Sequence, residues 1–305
     1  MKVPWTPLVF VLLLLIPPVS VVAQEQQTDD KVEATLLEPG LYLLEGAGGN
    51  VTASIGADGV VLVDDDMAAM SGKLLSKLKE LGGDAPRIIV NTHFHYDHSG
   101  GNAAFGARAT IIAAEPVRSR LMSAQTLWRE EHPPVAPEAL PMVTFEREAR
   151  LHVNGHDIRL VHLPSAHTDG DTAAIFDDGR LVSAGDLYFG GMFPIFHPEH
   201  DGSLQGLLKA ADFLLEATLP DGRIVPGHGP VTGRSELQAY VAMLQVSVST
   251  VRAGLRRHQS LVQVQKAGLP ASCEPFSHGF LTTDQWIAQL YQSLGNAQSA
   301  PPGPR

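Results

Sequence analysis

The chain predicts a mixed α/β (α+β) fold of four layers, an αββα sandwich in which two sheets face each other and helices cover their outer sides. Three observations lead there. Short β-type runs alternate with segments of helical period, two such blocks follow one another, and no shift of composition marks a linker between them.

The elements follow in order. Leu41 to Glu45, Val51 to Ile55 and Val60 to Val63 are β-type runs punctuated by Gly46-Ala47-Gly48-Gly49 and Ala57-Asp58-Gly59, which reads as a meander. Met67 to Leu81 carries apolar residues at helical spacing. Then come a strand at Arg87 to Asn91, a histidine-rich loop, a helix opening near Gly100, a strand at Thr110 to Ala113 and a helix from Pro116. Beyond a loop with Pro133, Pro134 and Pro137, the second block has its clearest strands at Ile158 to Leu163, Thr172 to Phe176 and Leu181 to Ser183, closed by a helix at Leu204 to Leu215. Ile224-Val225 is a short last strand. Ser235 to His258 is a long helix with Leu237, Val241, Leu244, Val248, Val251 and Leu255 along one face, and a final helix with Trp286, Leu290 and Tyr291 begins after Thr283 as cap.

Residues 1–23 have the form of an export signal: Lys2 is the positive start, Phe10 to Ile16 the apolar core, and Val21-Val22-Ala23 the small residues before Gln24. The expected products are a flexible leader at 24–32, one folded domain at 33–295 and a disordered tail at 296–305, in a periplasmic or secreted protein. The apolar stretch is short and broken by Pro17-Pro18, so no stable membrane anchor is expected once the signal is cleaved. Cys273 stands alone and forms no internal disulfide, which leaves stability to core burial and bound metal. With 33 acidic against 22 basic residues, the net charge of -11 repels phosphate backbones, and nucleic acid is not an expected partner. The expected partner is a small-molecule substrate; the sequence is silent on oligomeric state.

The chemistry concentrates at His93-Phe94-His95-Tyr96-Asp97-His98, directly after the apolar run Ile88-Ile89-Val90. In an extended segment His93 and His95 project to one side, while Asp97 and His98 turn toward a second point as the chain enters a helix. Ser99-Gly100-Gly101-Asn102 lets that helix start close by. Three further candidate donors each lie just beyond a predicted strand: His167 in Ser165-Ala-His-Thr-Asp-Gly-Asp171, Asp186 in Ala184-Gly-Asp-Leu187, and His228 in Pro226-Gly-His-Gly229. Asp64, at the end of Val60-Val-Leu-Val-Asp64, reads either as an acceptor that fixes the tautomer of a ligand imidazole or as a strand-end turn residue. Asp65 and Asp66 read as helix-capping or solvated. His197, His200, Phe189 and Asn50 are candidate substrate contacts, the apolar run Leu187 to Phe196 a wall for the substrate or plain core, and the turn from Gly46 to Asn50 either a mobile flap or an ordinary turn.

The HxHxDH run, the isolated His, the Gly-Asp and the Gly-His-Gly together resemble the metallo-β-lactamase superfamily, over nearly the whole mature chain. That resemblance implies two Zn2+ ions per chain, His93, His95 and His167 on the first, Asp97, His98 and His228 on the second, and Asp186 bridging. It also implies metal-assisted hydrolysis: a hydroxide shared by the metals attacks a carbonyl of a small amide, lactam, lactone or ester, and Asp97 is the catalytic residue that orients it and carries a proton to the leaving group. Asp186 and Phe189 stand where many zinc β-lactamases carry cysteine and, three residues on, lysine, so weak β-lactamase activity is the most expected of this chain. Two alternatives stand beside the zinc hydrolase: a di-iron redox enzyme of the same fold, disfavoured because such members often place a carboxylate where this chain has His95, and a noncatalytic zinc-binding module, disfavoured by the intact Asp97.

Overall fold

The computed structural model describes residues 31–127 and 130–299. The expected signal, the leader up to residue 30 and the tail from residue 300 lie outside the described residues. Strands β1 (Glu33–Glu38), β2 (Leu41–Glu45), β3 (Val51–Gly56) and β4 (Gly59–Val63) form an antiparallel meander, which β5 (Pro86–Val90) and β6 (Thr110–Ala114) continue in parallel. A small hairpin, β7 (Gln125–Leu127) with β8 (Glu130–His132), precedes β9 (Val143–Phe145), which completes the first sheet in the order β1-β2-β3-β4-β5-β6-β9. The second sheet runs β10 (Glu148–Val153), β11 (His156–His162), β12 (Thr172–Phe176), β13 (Leu181–Phe189), β14 (Arg223–His228) and β15 (Thr232–Gly233); only β13 and β14 are parallel neighbours.

Strands buried on two faces carry continuous apolar runs such as Val60–Val63, and the period of two then sorts their side chains between layers. Along β4, Val61 and Val63 enter the core between the sheets with Val90, Ile112, Ile158, Leu160, Ala174 and Phe176. Val60 and Leu62 turn the other way, onto Leu74 and Leu78 of helix α1 (Ser71–Glu80). On the far side of the second sheet, Val182, Ala184 and Ile224 pack against the helical layer. Between the sheets' loops lie three short helices, α2 (Tyr96–Ser99), α3 (Asn102–Phe105) and α4 (Glu115–Leu121). The outer helices of the second half are α5 (Leu204–Ala217), α6 (Arg234–Arg256), α7 (Leu261–Ala267) and α8 (Thr283–Ser299), which supply Leu207, Leu244, Val264 and Trp286 to that core. The four layers are those the sequence predicts.

Several boundaries differ for physical reasons. β13 runs on to Phe189 because every residue from Leu181 to Phe189 is buried, with a register shift around Gly185 that the apolar pattern does not reveal. The last helix is capped by Thr282: its Oγ1 accepts from the amide of Gln285, and Gln285 Oε1 accepts from the amide of Thr282, a reciprocal box that Thr283 does not form. That helix reaches Ser299 and so takes in the first four residues of the expected tail. At the other end Val32 is buried in the first sheet's outer core, which places the close of the expected leader inside the fold. Among the described residues no helix is long and apolar enough to cross a membrane.

Candidate metal centre

The apolar strand β5 ends at Val90, and the next residues are held in a fixed loop. Ser99 Oγ donates to the carbonyls of Phe94 and His95, and the Ser99 amide donates to His95, so the chain turns into α2 within one residue of His95. His93, His95 and His98 are fully buried and Asp97 nearly so. His167 comes from the β11–β12 loop, Asp186 from within β13, and His228 is the last residue of β14. Asp186 is thus inside a strand rather than beyond one. At the adjacent Gly185, φ is +50°, and the register shift there lets β13 bend as it enters the site.

The donors fall into two groups, His93, His95, His167 and Asp186 in one and Asp97, His98 and His228 in the other, with ligand atoms inside each group within 4.8 Å of one another. Asp186 faces both. Its Oδ2 lies 3.3 Å from His167 Nε2 and 3.9 Å from His93 Nε2, while its Oδ1 lies 3.1 Å from His98 Nε2 and 3.5 Å from His228 Nε2. Imidazole nitrogens converge on one another as well: His93 Nε2 and His167 Nε2 are each 3.0 Å from His95 Nδ1, and His98 Nε2 is 3.3 Å from His228 Nε2. Imidazole nitrogens crowded this closely around common points are poorly matched to hydrogen bonding alone. They fit a cation, and the all-nitrogen and carboxylate donor set fits a borderline ion such as zinc.

The opposite ring nitrogens are anchored by the protein. His167 Nδ1 donates to the carbonyl of Ile195 at 2.8 Å, and His98 Nδ1 donates to Asp64 Oδ2 at 2.8 Å, which fixes both tautomers with Nε2 toward the centre. Asp64 is itself held by the amide and hydroxyl of Thr92, at 2.7 and 2.8 Å. Of the two readings of Asp64, the geometry is that of the imidazole anchor. Burial keeps the imidazoles of His93 and His95 well below their ordinary range and His167 at about 4, so all three are neutral at pH 7. His98 differs. Against the cost of its burial, Asp186, then Asp97 and Asp64, hold it well above the usual range. Asp186, despite burial, is held well below the carboxylate range by His228, His98 and His167.

Other expectations need correction. Asp65 and Asp66 are not solvated but buried: Asp65 accepts from the Gly101 amide at the start of α3, and Asp66 accepts from the amides of Gly48 and Met67. The turn from Gly46 to Asn50 is no flap. It is tied to the site by Gly49 N–H to Asp97 O and Asn50 N–H to Gly227 O, both at 2.8 Å. The Asn50 side chain is a clamp rather than a substrate contact, because Nδ2 donates to the carbonyls of Pro226 and Gly229 on either side of His228. Phe189, only 1% exposed, lies stacked on His228 with ring centroids 5.8 Å apart and so supports a ligand from behind. The rest of the apolar run is core likewise, with Leu187, Tyr188, Phe193 and Phe196 buried in the helical layer. His197 is also mostly buried, its ring edge-on to His95 at 5.0 Å and to His167 at 5.1 Å.

Replacing Asn50 with alanine leaves two carbonyls beside His228 without their donor. The expected cost is about 1–3 kcal/mol, seen as a lower urea midpoint at unchanged slope; an unchanged midpoint would rule out the clamp.

Asp171 is a buried acid that reasoning from the sequence passed over. The signal was its place four residues after His167 in a Thr-Asp-Gly-Asp turn, where Thr168 donates to it from both backbone amide and hydroxyl, at 2.8 and 2.7 Å. Burial pushes it up to about 8. A carboxyl whose folded pKa exceeds its unfolded value binds more protons folded than unfolded between the two, so its stabilising contribution is complete below pH 4 and declines as pH rises toward 8. In metal-free protein, the melting temperature of the wild type is therefore expected to fall more steeply from pH 5 to pH 8 than that of Asp171→Asn. Parallel curves would refute this.

Fold and donor set together define a metallo-hydrolase scaffold of the αββα type. The sequence matches the metallo-beta-lactamase superfamily over residues 45–228, and the chain belongs to that superfamily. The 2,4-dinitroanisole O-demethylase subunit alpha of Nocardioides sp. (strain JS1661) is 24% identical over 252 residues, covering 76% of this chain and 69% of the relative. Among solved structures, the stereoselective inverting sec-alkylsulfatase Pisa1 from Pseudomonas sp. superposes with a TM-score of 0.69 at 15% identity over 90% of this chain, which spans only 52% of the alkylsulfatase. A metallo-beta-lactamase from Pontibacter korlensis gives 0.58 at 18% identity, covering 70% of this chain and 99% of that one. At such identities these structures share the fold.

Proposed function

We propose that the chain is an exported binuclear zinc hydrolase acting on a small amide, lactam, lactone or ester. The observation that carries this reading is the divided carboxylate of Asp186, one oxygen toward the His93, His95 and His167 group and the other toward His98 and His228. When bound, two zinc ions would supply a water that ionises near neutral pH and polarise the oxygen of the scissile carbonyl. The chain's own residues do the rest. His93, His95 and His167 would hold the first ion and Asp97, His98 and His228 the second. Asp97, 3.2 Å from His228 Nε2 through Oδ2, keeps a buried Oδ1 that accepts from no donor among the described residues, and this oxygen is suited to orient the attacking water and to pass a proton to the leaving group. Asp64 and the Ile195 carbonyl keep His98 and His167 in the tautomers that present Nε2. The export signal read at residues 1–23 supports a periplasmic or secreted site of action.

Metal analysis of the purified protein, with turnover on a panel of β-lactams, lactones and thioesters, tests the proposal. Secondary alkyl sulfates and 2,4-dinitroanisole belong in the panel because of the two relatives named for acting on them. About two zinc ions per chain and hydrolysis of one class are expected. Zinc-loaded protein inert on every class would defeat the hydrolase reading, and iron with oxygen consumption would defeat the zinc.

A further inference from the structure

We propose that His197, Glu199 and His200 form an additional, weaker site for a divalent cation of the zinc class, beside the main centre. One ligand atom from each of the three lies within 4.8 Å of the others. The backbone brings this about locally. Pro198–His200 is a single 3-10 turn, and residues three apart in such a turn project to the same side, so the rings of His197 and His200 stand 5.7 Å apart. The turn is locked in place: the His197 amide donates to the carbonyl of His167, and the amides of His200 and Gly202 donate back to the carbonyl of His197, each at 2.9 Å.

A second observation is independent of that geometry. His200 is 4% exposed, its ring edge-on to Phe94, and its Nδ1 is buried without a hydrogen-bond partner among the described residues. A buried imidazole nitrogen left in this state costs free energy that a bound ion would recover. The surrounding charge also favours a cation. His197, Glu199 and His200 line a cavity of about 590 Å³ together with Arg120, Ala124, Gln125 and Thr126. Arg120 is already engaged by Asp169 and Asp201, both at 2.8 Å, so its charge is offset and Glu199 adds a negative charge to the cavity lining. Two imidazoles and one carboxylate make a donor set proper to zinc, and Glu199, the exposed member, already stands 2.9 Å from His197 Nδ1 through Oε1, a contact that an entering ion would replace. Because the His197 ring also touches His95 and His167, cations at the main centre repel one held here, which is the reason for the weaker affinity.

The test is the Co2+ stoichiometry of the wild-type chain, Glu199→Gln and His200→Phe, measured by equilibrium dialysis with elemental analysis and followed by visible absorbance. Glu199→Gln leaves the core untouched, and His200→Phe keeps a ring against Phe94. The wild type is expected to bind one more equivalent than either variant, in a final and weaker step of the titration. The readout is this difference, so it stands apart from whether the main centre takes one ion or two. Equal stoichiometry in all three proteins, at any total, would overturn the proposal.

Discussion

Replacing Asp186 with alanine is expected to strip the chain of most of its bound metal and to abolish any hydrolytic activity. Its carboxylate spans the two donor groups: Oδ2 faces His93 and His167, Oδ1 faces His98 and His228. Removing it leaves the His93, His95 and His167 imidazoles crowded at 3.0 Å without their carboxylate, and leaves His98 and His228 with Asp97 alone between them. Losing one partner of a buried charge pair costs about 3–5 kcal/mol, which corresponds to about two to four decades in metal affinity. Asp186→Asn separates charge from shape, since the amide fills the same space. This matters because Gly227 already approaches so closely that a Cβ there would stand 1.9 Å from Asp186 Oδ1. Zinc competition with a chromophoric chelator measures the loss for both variants. Wild-type affinity in Asp186→Ala would remove the basis of the bridging assignment.

For Asp97 the expected loss is in turnover. Against its burial, His98 and then His228 hold this carboxyl below its ordinary range, so it is ionised at neutral pH and able to accept a proton. With the protein saturated in zinc, Asp97→Asn is expected to lower kcat by about 10²–10⁴-fold, the range for a lost general acid or base, and to leave KM within a few-fold. Saturation is essential to the comparison, because Asp97 also belongs to the second donor group and the variant binds metal less tightly. A fall in activity that vanishes when zinc is raised would make Asp97 a ligand with no role in proton transfer.

Much of this could be read from the chain as written. Continuous apolar runs such as Val60–Val63 and Ile88–Val90 are what strands buried on both faces require, and they announce a sandwich before any contact is known. The HxHxDH run places four donors in one loop, so its convergence depends on local backbone geometry alone. The rest rests on contacts across long separations. Asn50 meets Pro226 at a separation of 176 residues and Asp64 meets His98 at 34, and neither residue type carries a mark of its partner.

What the sequence by itself determined, then, was the layer architecture and which side chains are candidate donors, because residue chemistry and hydrophobic period are properties of short segments. Only the tertiary structure decided which oxygen of Asp186 faces which group, that Asn50 and Phe189 serve the protein rather than a substrate, that Asp65 and Asp66 are buried, and that His197 and His200 share a cavity with Glu199. Those outcomes are set when the two sheets close on each other, since burial and partner choice depend on chain segments that the local pattern cannot bring together.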